Sequence, residues 1–332
     1  MPLDDLRDSI VRAPVIGRGP TGANGESQRH PVDALIARVA ELQTKHRERA
    51  ARENRDRLPS APLPRDVIQL PLWPEFVRGV PNGFLRSALF GAIAKGRRRY
   101  MPGERVTTLD GLTILYTGER LDQGDLDVWE SVLHAVRLQA LGVQCRVTSY
   151  ALLKLMGKTD TGKNRRVLHT RITRLRANAV EIKQDRYSYI GGLVDEAYKD
   201  NETQEWVIVV SPKLCVLFAD DQFTQIDWNV RRALGGKSLA QWLHGFYASH
   251  AKPYPMRMDT LLKLAGSEDE SPSSGRQTLR KALDALAEAS KTHGQPFAYE
   301  IRGDLVHVEK QPSDSQRRHL AKKAGGQRER RF

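Results

Sequence analysis

One pattern occurs twice in this sequence, and the duplication constrains the fold more than any other feature. ALLKLMG at 151–157 returns as TLLKLAG at 260–266, sharing Leu-Leu-Lys-Leu and a closing glycine. An apolar run ending on glycine reads as a helix with a left-handed cap, because glycine adopts positive φ without a Cβ clash. After a polar loop, Leu168, Ile172 and Leu175 recur as Leu279, Leu283 and Leu286, spaced by four and then three in both copies. That spacing lines one helical face, so each copy carries a second helix with an apolar side. Each copy is preceded by an apolar helix, LDVWESVLHAVRLQAL in the first and LAQWLHGFYASH in the second. Strands follow each copy. In the first they are VEI at 180–182, YSYIGGLVD and EWVIVV; in the second, FAYEI, a turn at Gly303 and Asp304, and LVHVEK. Helix, helix, turn, helix and hairpin is the order of a winged helix, a variant of the helix-turn-helix. The expected fold class is α+β: two tandem winged-helix domains, a partly disordered N-terminal region and a basic C-terminal tail.

The 332 residues exceed the usual size of one domain,. The expected divisions are a disordered and helical region at 1–65, a first winged-helix domain with an N-terminal extension at 66–222, a second at 223–310, and a basic disordered tail at 311–332. Residues 1–30 are rich in Gly, Pro and Ser without apolar periodicity, which predicts disorder,. From Pro31 a long helix is expected, with Leu35, Ile36, Val39 and Leu42 on one face and a charge-dense stretch to Arg57,. It suits a solvated helix or a self-association surface, and Pro59, Pro62 and Pro64 end it,. FLRSALFGAIA at 84–94 reads as a helix, followed by Lys95, Arg97, Arg98 and Arg99, a phosphate-binding or simply solvated cluster. RVTTLDGLTILYTGERL predicts two strands around Asp110 and Gly111,.

A formal charge of +13 makes nucleic acid the leading partner,. No run approaches the roughly 18 apolar residues of a membrane span, and acids stand where a secretory signal has a basic region,. A cytoplasmic protein with no membrane association is expected. Cys145 and Cys215 each sit in apolar sequence and read as reduced core residues,. The histidines lack metal-ligand spacing and no Ser-His-Asp arrangement can be argued, so neither an enzyme nor a cofactor is expected. GKTDTGKN at 157–164 comes close to a phosphate loop, but Asn164 replaces the magnesium-binding hydroxyl and a helix precedes it where the motif needs a strand,.

DNA contact is expected from the second helix of each copy. With Leu168, Ile172 and Leu175 inward, Arg166, Thr170, Thr173 and Ala177 face outward, flanked by His169 and Arg174,. Residues 158–178 carry seven basic side chains, among them Lys163, Arg165 and Arg171, against the single acid Asp160. Arginines can fork onto guanine and hydroxyls can serve phosphates. In the second copy only the first turns suit DNA: Arg276, Gln277, Arg280 and Lys281 are the candidates, with Ser273 and Ser274 near phosphates, while Asp284 and Glu288 face elsewhere,. The tail adds seven basic residues against two acids, as an arm with non-specific phosphate affinity,.

Gln69, Leu70, Pro71, Leu72 and Trp73 look like the glutamine-leucine-x-leucine-aromatic peptides with which bacterial replication proteins grip the sliding clamp. Such a peptide works by bonding the Gln and burying its last two apolar side chains. A strand or loop packed on the domain is the other reading.

VIQLPLWPEFVRGVPNGFLRSALF, GERLDQGDLDVWESVLHAVRL and TSYALLKLMGK, with the basic segment that follows, resemble the TrfA family of broad-host-range plasmid replication initiators, from about residue 65 to 310. The resemblance implies binding of origin repeats (iterons) in double-stranded DNA by paired winged helices, local strand opening, and recruitment of the host replicative helicase and sliding clamp. It also implies that monomers bind the repeats while dimers restrain initiation. A winged-helix transcriptional repressor would share fold and charge but favour a dimeric palindrome. A P-loop ATPase would bind nucleotide with magnesium.

Overall fold

β1 (Val77–Pro81) runs into the short helix α1 (Asn82–Leu85), followed by β2 (Phe90–Gly91), β3 (Tyr100–Arg105), β4 (Leu112–Glu119) and β5 (Leu121–Asp122). This computed structural model describes residues 69–93, 98–109, 111–184, 187–200, 202–203, 205–219, 222–267 and 271–329. The expectations for 1–65, Lys95, Arg97 and Asp110 lie outside the described residues. Where the sequence predicts a helix over 84–94, α1 stops at Leu85 and β2 pairs in parallel with β5. Phe84, Leu85, Leu89, Phe90 and Ile93 are all buried around Arg86 and Ser87, and so short a mostly apolar run carries no period to tell strand from helix.

The first copy comprises α2 (Gln123–Val136), β6 (Cys145–Thr148), α3 (Ser149–Leu155), α4 (Gly162–Arg176), β7 (Ala179–Gln184), β8 (Tyr187–Gly191), β9 (Glu196–Lys199) and β10 (Glu205–Val209). A 3-10 turn (Pro212–Phe218), β11 (Phe223–Asp227) and α5 (Trp228–Ala233) lead to the second: α6 (Ser238–Ala248), β12 (Met256–Arg257), α7 (Met258–Leu264), α8 (Pro272–Thr292), β13 (Phe297–Arg302) and β14 (Leu305–Lys310). Both copies form an antiparallel three-stranded sheet of one order, β6-β10-β9 and β12-β14-β13, the last strand lying in the middle. Both α3 and α7 end on a glycine in the left-handed region, Gly157 at φ +67° and Gly266 at φ +65°. Their closing bonds match, Gly157 N–H to Lys154 O with Lys158 N–H to Leu153 O, and Gly266 N–H to Lys263 O with Ser267 N–H to Leu262 O,. The architecture is thus mixed helix and antiparallel sheet, with one topology used twice.

The strands around 180–191, which the sequence assigns with EWVIVV to the first copy, lie outside its three-stranded sheet. They join β3 and β4 in a separate sheet of order β3-β4-β7-β8, and the hairpin of the first copy is β9–β10 instead. Two apolar cores result. One centres on Trp129, packed against Phe84, Phe90 and Phe218, and extends to Ile226; the other begins at Val230 and gathers Trp242, Phe246, Leu261, Leu279, Leu283, Leu286 and Val306. Because β11 pairs with β1, the change of core falls between 226 and 230, slightly beyond the expected division at 222.

A buried polar seam joins the cores. Arg231 of α5, only 1% exposed, donates Nε to Asp127 at 2.7 Å and Nη2 to the Gln123 carbonyl at 3.1 Å, both on α2. Its Nη1 reaches Gln241 O on α6 at 3.4 Å. Glu130 lies 3.4 Å from Arg231 Nε without a hydrogen-bond partner among the described residues. Burial therefore holds its carboxyl up near 8,.

The tail is also ordered where the sequence predicts a disordered arm: α9 spans Asp314–Glu329. Ser313 and Gln316 form a reciprocal cap, Ser313 N–H to Gln316 Oε1 at 3.1 Å and Gln316 N–H to Ser313 Oγ at 3.4 Å,. Gln316 Nε2 then donates to Ala248 O at 2.7 Å, seating the first turn on α6.

Candidate nucleic-acid interface

Thr161 caps α4 by accepting the Asn164 N–H at 3.2 Å,. Burial of Leu168, Ile172 and Leu175 then fixes the rotation of the helix, and Lys163, Arg166, Thr170 and Thr173 stand exposed on its outer side. Thr170 bonds back to Arg166 O at 3.1 Å. Among them stands Val167, 45% exposed. The sequence signal for it was available, since Val167 falls outside the buried Leu-Ile-Leu row.

The flanking candidates are less free. Arg165 forks onto Asp160 at 2.6 and 2.7 Å. The His169 ring, though exposed, packs 5.4 Å from that of Trp206 in β10. Arg174 departs most from expectation: it turns away from the outer side to bond Asp125 at 2.7 Å and Glu119 at 2.9 Å. The physical reason is the N-terminus of α2. There Asp122 and Asp125 cap the helix reciprocally, each accepting the other's backbone N–H at 2.9 Å. Two buried carboxylates side by side demand cations, and Arg171 supplies one at 2.5 Å from Asp122 and 2.8 Å from Asp125,. Arg98 bonds Asp122 as well. Burial works against ionisation of Asp122, yet the bonds from Arg171 and Arg98 hold it below the usual carboxylate range. Asp125, buried and beside the Asp122 charge, is pushed up,. Arg171 and Arg174 thus dock α4 on α2.

On α8, Gln277, Arg280 and Lys281 are exposed in the first turns, as are Ser273 and Ser274. Arg276 is committed to Asp259 of α7, at 3.1 and 3.0 Å. Asp284 accepts the Tyr299 hydroxyl at 2.5 Å, and Glu288 is exposed. Segment 157–164 joins α3 to α4, so no strand feeds it as a phosphate loop requires,. Arg98 and Arg99 of the upstream basic cluster face Asp122 and Glu104.

Residues 69–73 lie against the body of the protein. Leu70 and Trp73 are buried, Gln69 Nε2 donates to Arg137 O at 2.9 Å, and Leu72 is 40% exposed. In this conformation Gln69, Leu70 and Trp73 are already held by the chain itself, and of the side chains that a clamp pocket would take only Leu72 stands open. Among the described residues, no group of His, Cys, Asp and Glu is placed to hold a metal ion, and no helix is long and apolar enough to cross a membrane.

The sequence pattern of the family described as TrfA protein matches residues 61–310. The chain belongs to the TrfA family. A relative within it, the plasmid replication initiator protein TrfA of Escherichia coli, is 25% identical over 253 residues, covering 72% of this chain. The match spans 63% of that relative's length. Among solved structures, domains 2 and 3 of RctB align with a TM-score of 0.45 at 14% identity, covering 70% of this chain and 96% of that one. The Pi initiator protein in complex with iteron DNA aligns with a TM-score of 0.41 at 10% identity, covering 57% and 91%. Likeness at that level is too loose to carry the argument. What the TrfA-family match adds is that its span contains both repeated units and the exposed faces of α4 and α8.

Proposed function

We propose that this chain is a plasmid replication initiator that binds repeated duplex sites through two winged-helix modules. In this reading α4 and the first turns of α8 enter major grooves, and the hairpins β9–β10 and β13–β14 are the wings. The observation that carries it is the doubled topology, in which each of two sheets of one strand order gives its first strand before, and its hairpin after, a helix pair whose first helix ends on a left-handed glycine. In each copy the exposed side of the second helix carries basic residues, and the family match supports the same reading. The first module contacts DNA through Lys163, Arg166, Thr170 and Thr173, and the second through Gln277, Arg280 and Lys281. Origin opening and recruitment of the host helicase and sliding clamp complete the activity, with monomers as the binding form, in the cytoplasm and without catalysis by the chain itself.

Clamp docking by Gln69, Leu70, Leu72 and Trp73 belongs to a state in which this segment has left its seat. The deciding experiment is to sequence the duplexes that the purified protein retains from a plasmid-origin library and to footprint them. Directly repeated sites, with affinity falling steeply as salt rises, support the reading. A single palindrome bound by a dimer would instead favour a winged-helix repressor.

A further inference from the structure

A cleft of about 400 Å3 opens where the two modules meet. Lys158, from the turn that leads into α4, enters it from one side; Arg232 of α5 and His293, just past α8, enter from the other. The two stronger cations are cross-packed on glycines. The Arg232 guanidinium lies where a Cβ of Gly157 would be, and Lys158 Nζ lies 3.9 Å from where a Cβ of Gly235 would be. Two positive side chains thereby line one concavity, Arg232 seated over Gly157, where a side chain would leave it no room, and Lys158 in contact distance of Gly235.

Neither cation has a carboxylate partner among the described residues, whereas their neighbours do. Arg165 has Asp160, Arg171 and Arg174 have Asp122 and Asp125, and Arg276 has Asp259. The acid in the cleft wall is Asp127, which already accepts from Arg231 at 2.7 Å and from Gln241 at 3.4 Å. Like charges held together in a concave site focus a positive potential, and a planar guanidinium beside an ammonium suits an oxyanion with several acceptor atoms.

We propose that the cleft between Lys158 and Arg232 holds one backbone phosphate of the bound duplex, at the point where the strand passes from the first module to the second. The inference rests on the DNA-binding reading above. Lys158 stands one turn before the outer face of α4, so a duplex lying on that face brings its backbone to this turn. The contact carries no sequence information and fixes the register of the protein on its site.

The test uses the full chain and a duplex bearing the sequence that the wild-type protein retains from a random library. Lys158→Gln with Arg232→Gln should make the fall of log affinity with log salt shallower by about one unit, the share of one phosphate, and Arg232→Gln alone by part of that, with base preference unchanged. Arg232→Lys should keep most of the slope, because charge rather than packing is at work. A methylphosphonate placed along the backbone should weaken the wild type at one position where the double variant has become indifferent. Thermal unfolding of each variant separates misfolding from lost contact.

Unchanged salt slopes, an Arg232→Lys variant as impaired as Arg232→Gln, or a methylphosphonate scan alike in both proteins would overturn the assignment. Saturable binding of inorganic pyrophosphate to the free protein at micromolar concentration would also overturn it, by identifying a free-anion site. A wild type that retained no duplex would remove the DNA-binding reading and this proposal together; retention with unaltered slopes would remove only the latter.

Discussion

Trp73 donates its indole N–H to Nδ1 of His134 at 3.1 Å, which fixes a buried histidine in one tautomer. Nδ1 must be the bare nitrogen, so Nε2 carries the proton and donates it to Glu75 at 2.8 Å. Arg137 completes the cluster, bonding Glu75 and donating Nε to Trp73 O at 3.2 Å. The hydrogen bond from His134, with Arg137 alongside, lowers the Glu75 carboxyl to about 2. Segment 69–75 is thus held to the end of α2 by a neutral imidazole.

Acid should loosen that attachment. Burial lowers the His134 pKa from its ordinary 6.5, so its contribution is fully present above that value and is lost as pH falls through the depressed one. A second proton on Nδ1 would then face the indole N–H. His134→Phe should act at neutral pH as acid does on the wild type, costing about 1–3 kcal/mol for the stranded donor. Cys215 is the reporter, since its thiol sits 3.8 Å from Gln69 O. Its alkylation, followed by peptide mass, should accelerate in the variant, and an unchanged rate would show that the segment is held by other means.

Two arginines on one helix should behave oppositely. Arg166→Ala should weaken specific binding by about 1–3 kcal/mol if the side chain reads a base, with no comparable loss on random duplex. Arg174→Ala removes a partner of the buried Asp125 and should lower stability with base preference retained,. Competition binding and urea unfolding on the same pair of variants check both expectations.

Glu130→Gln should be tolerated at neutral pH, because Arg231 is already answered by Asp127 and a carboxyl with pKa near 8 is protonated there. A raised pKa adds stability at low pH that is lost as pH climbs from the ordinary 4.5 to about 8,. The wild type should therefore lose stability across that window relative to Glu130→Gln, by up to about 1.4 kcal/mol per pH unit. Parallel urea titrations from pH 5 to about 9 make the comparison.

Alanine at three left-handed glycines, the closing pair of the repeat and Gly303 of the β13–β14 turn, should cost unequally. Gly303 has φ +61° with open space around it, so Gly303→Ala should lose only about 1–2 kcal/mol for the left-handed backbone,. Gly266→Ala should lose more, because its Cβ would fall 2.7 Å from Arg120 Nη2 and 3.0 Å from Ala88 Cβ. Gly157→Ala should likewise exceed Gly303→Ala by displacing Arg232. Urea midpoints measure the differences.

What the sequence disclosed was local and periodic. The leucine spacing located the buried faces of α4 and α8, and the closing glycines foretold the two left-handed caps. Strand partnership stayed hidden, because pairing β7–β8 with β4 rather than with β10 joins segments far apart in sequence, where no period connects them. Arg174 was misplaced for a related reason. Helical angle puts it on the outer side, but the carboxylate pair that draws it back lies about fifty residues upstream and counts as a helix cap until the fold assembles. The order of the tail was legible in the Ser-x-x-Gln pattern at 313–316, which the density of charge obscured.

The Arg231 seam gives the molecule a fixed stride. With the Arg231 guanidinium bonded to groups of α2 and α6, the separation of α4 from α8 is set, under the proposed reading, by the protein rather than by the DNA. In the proposed reading, such a molecule would discriminate among sites by their spacing as well as by their bases.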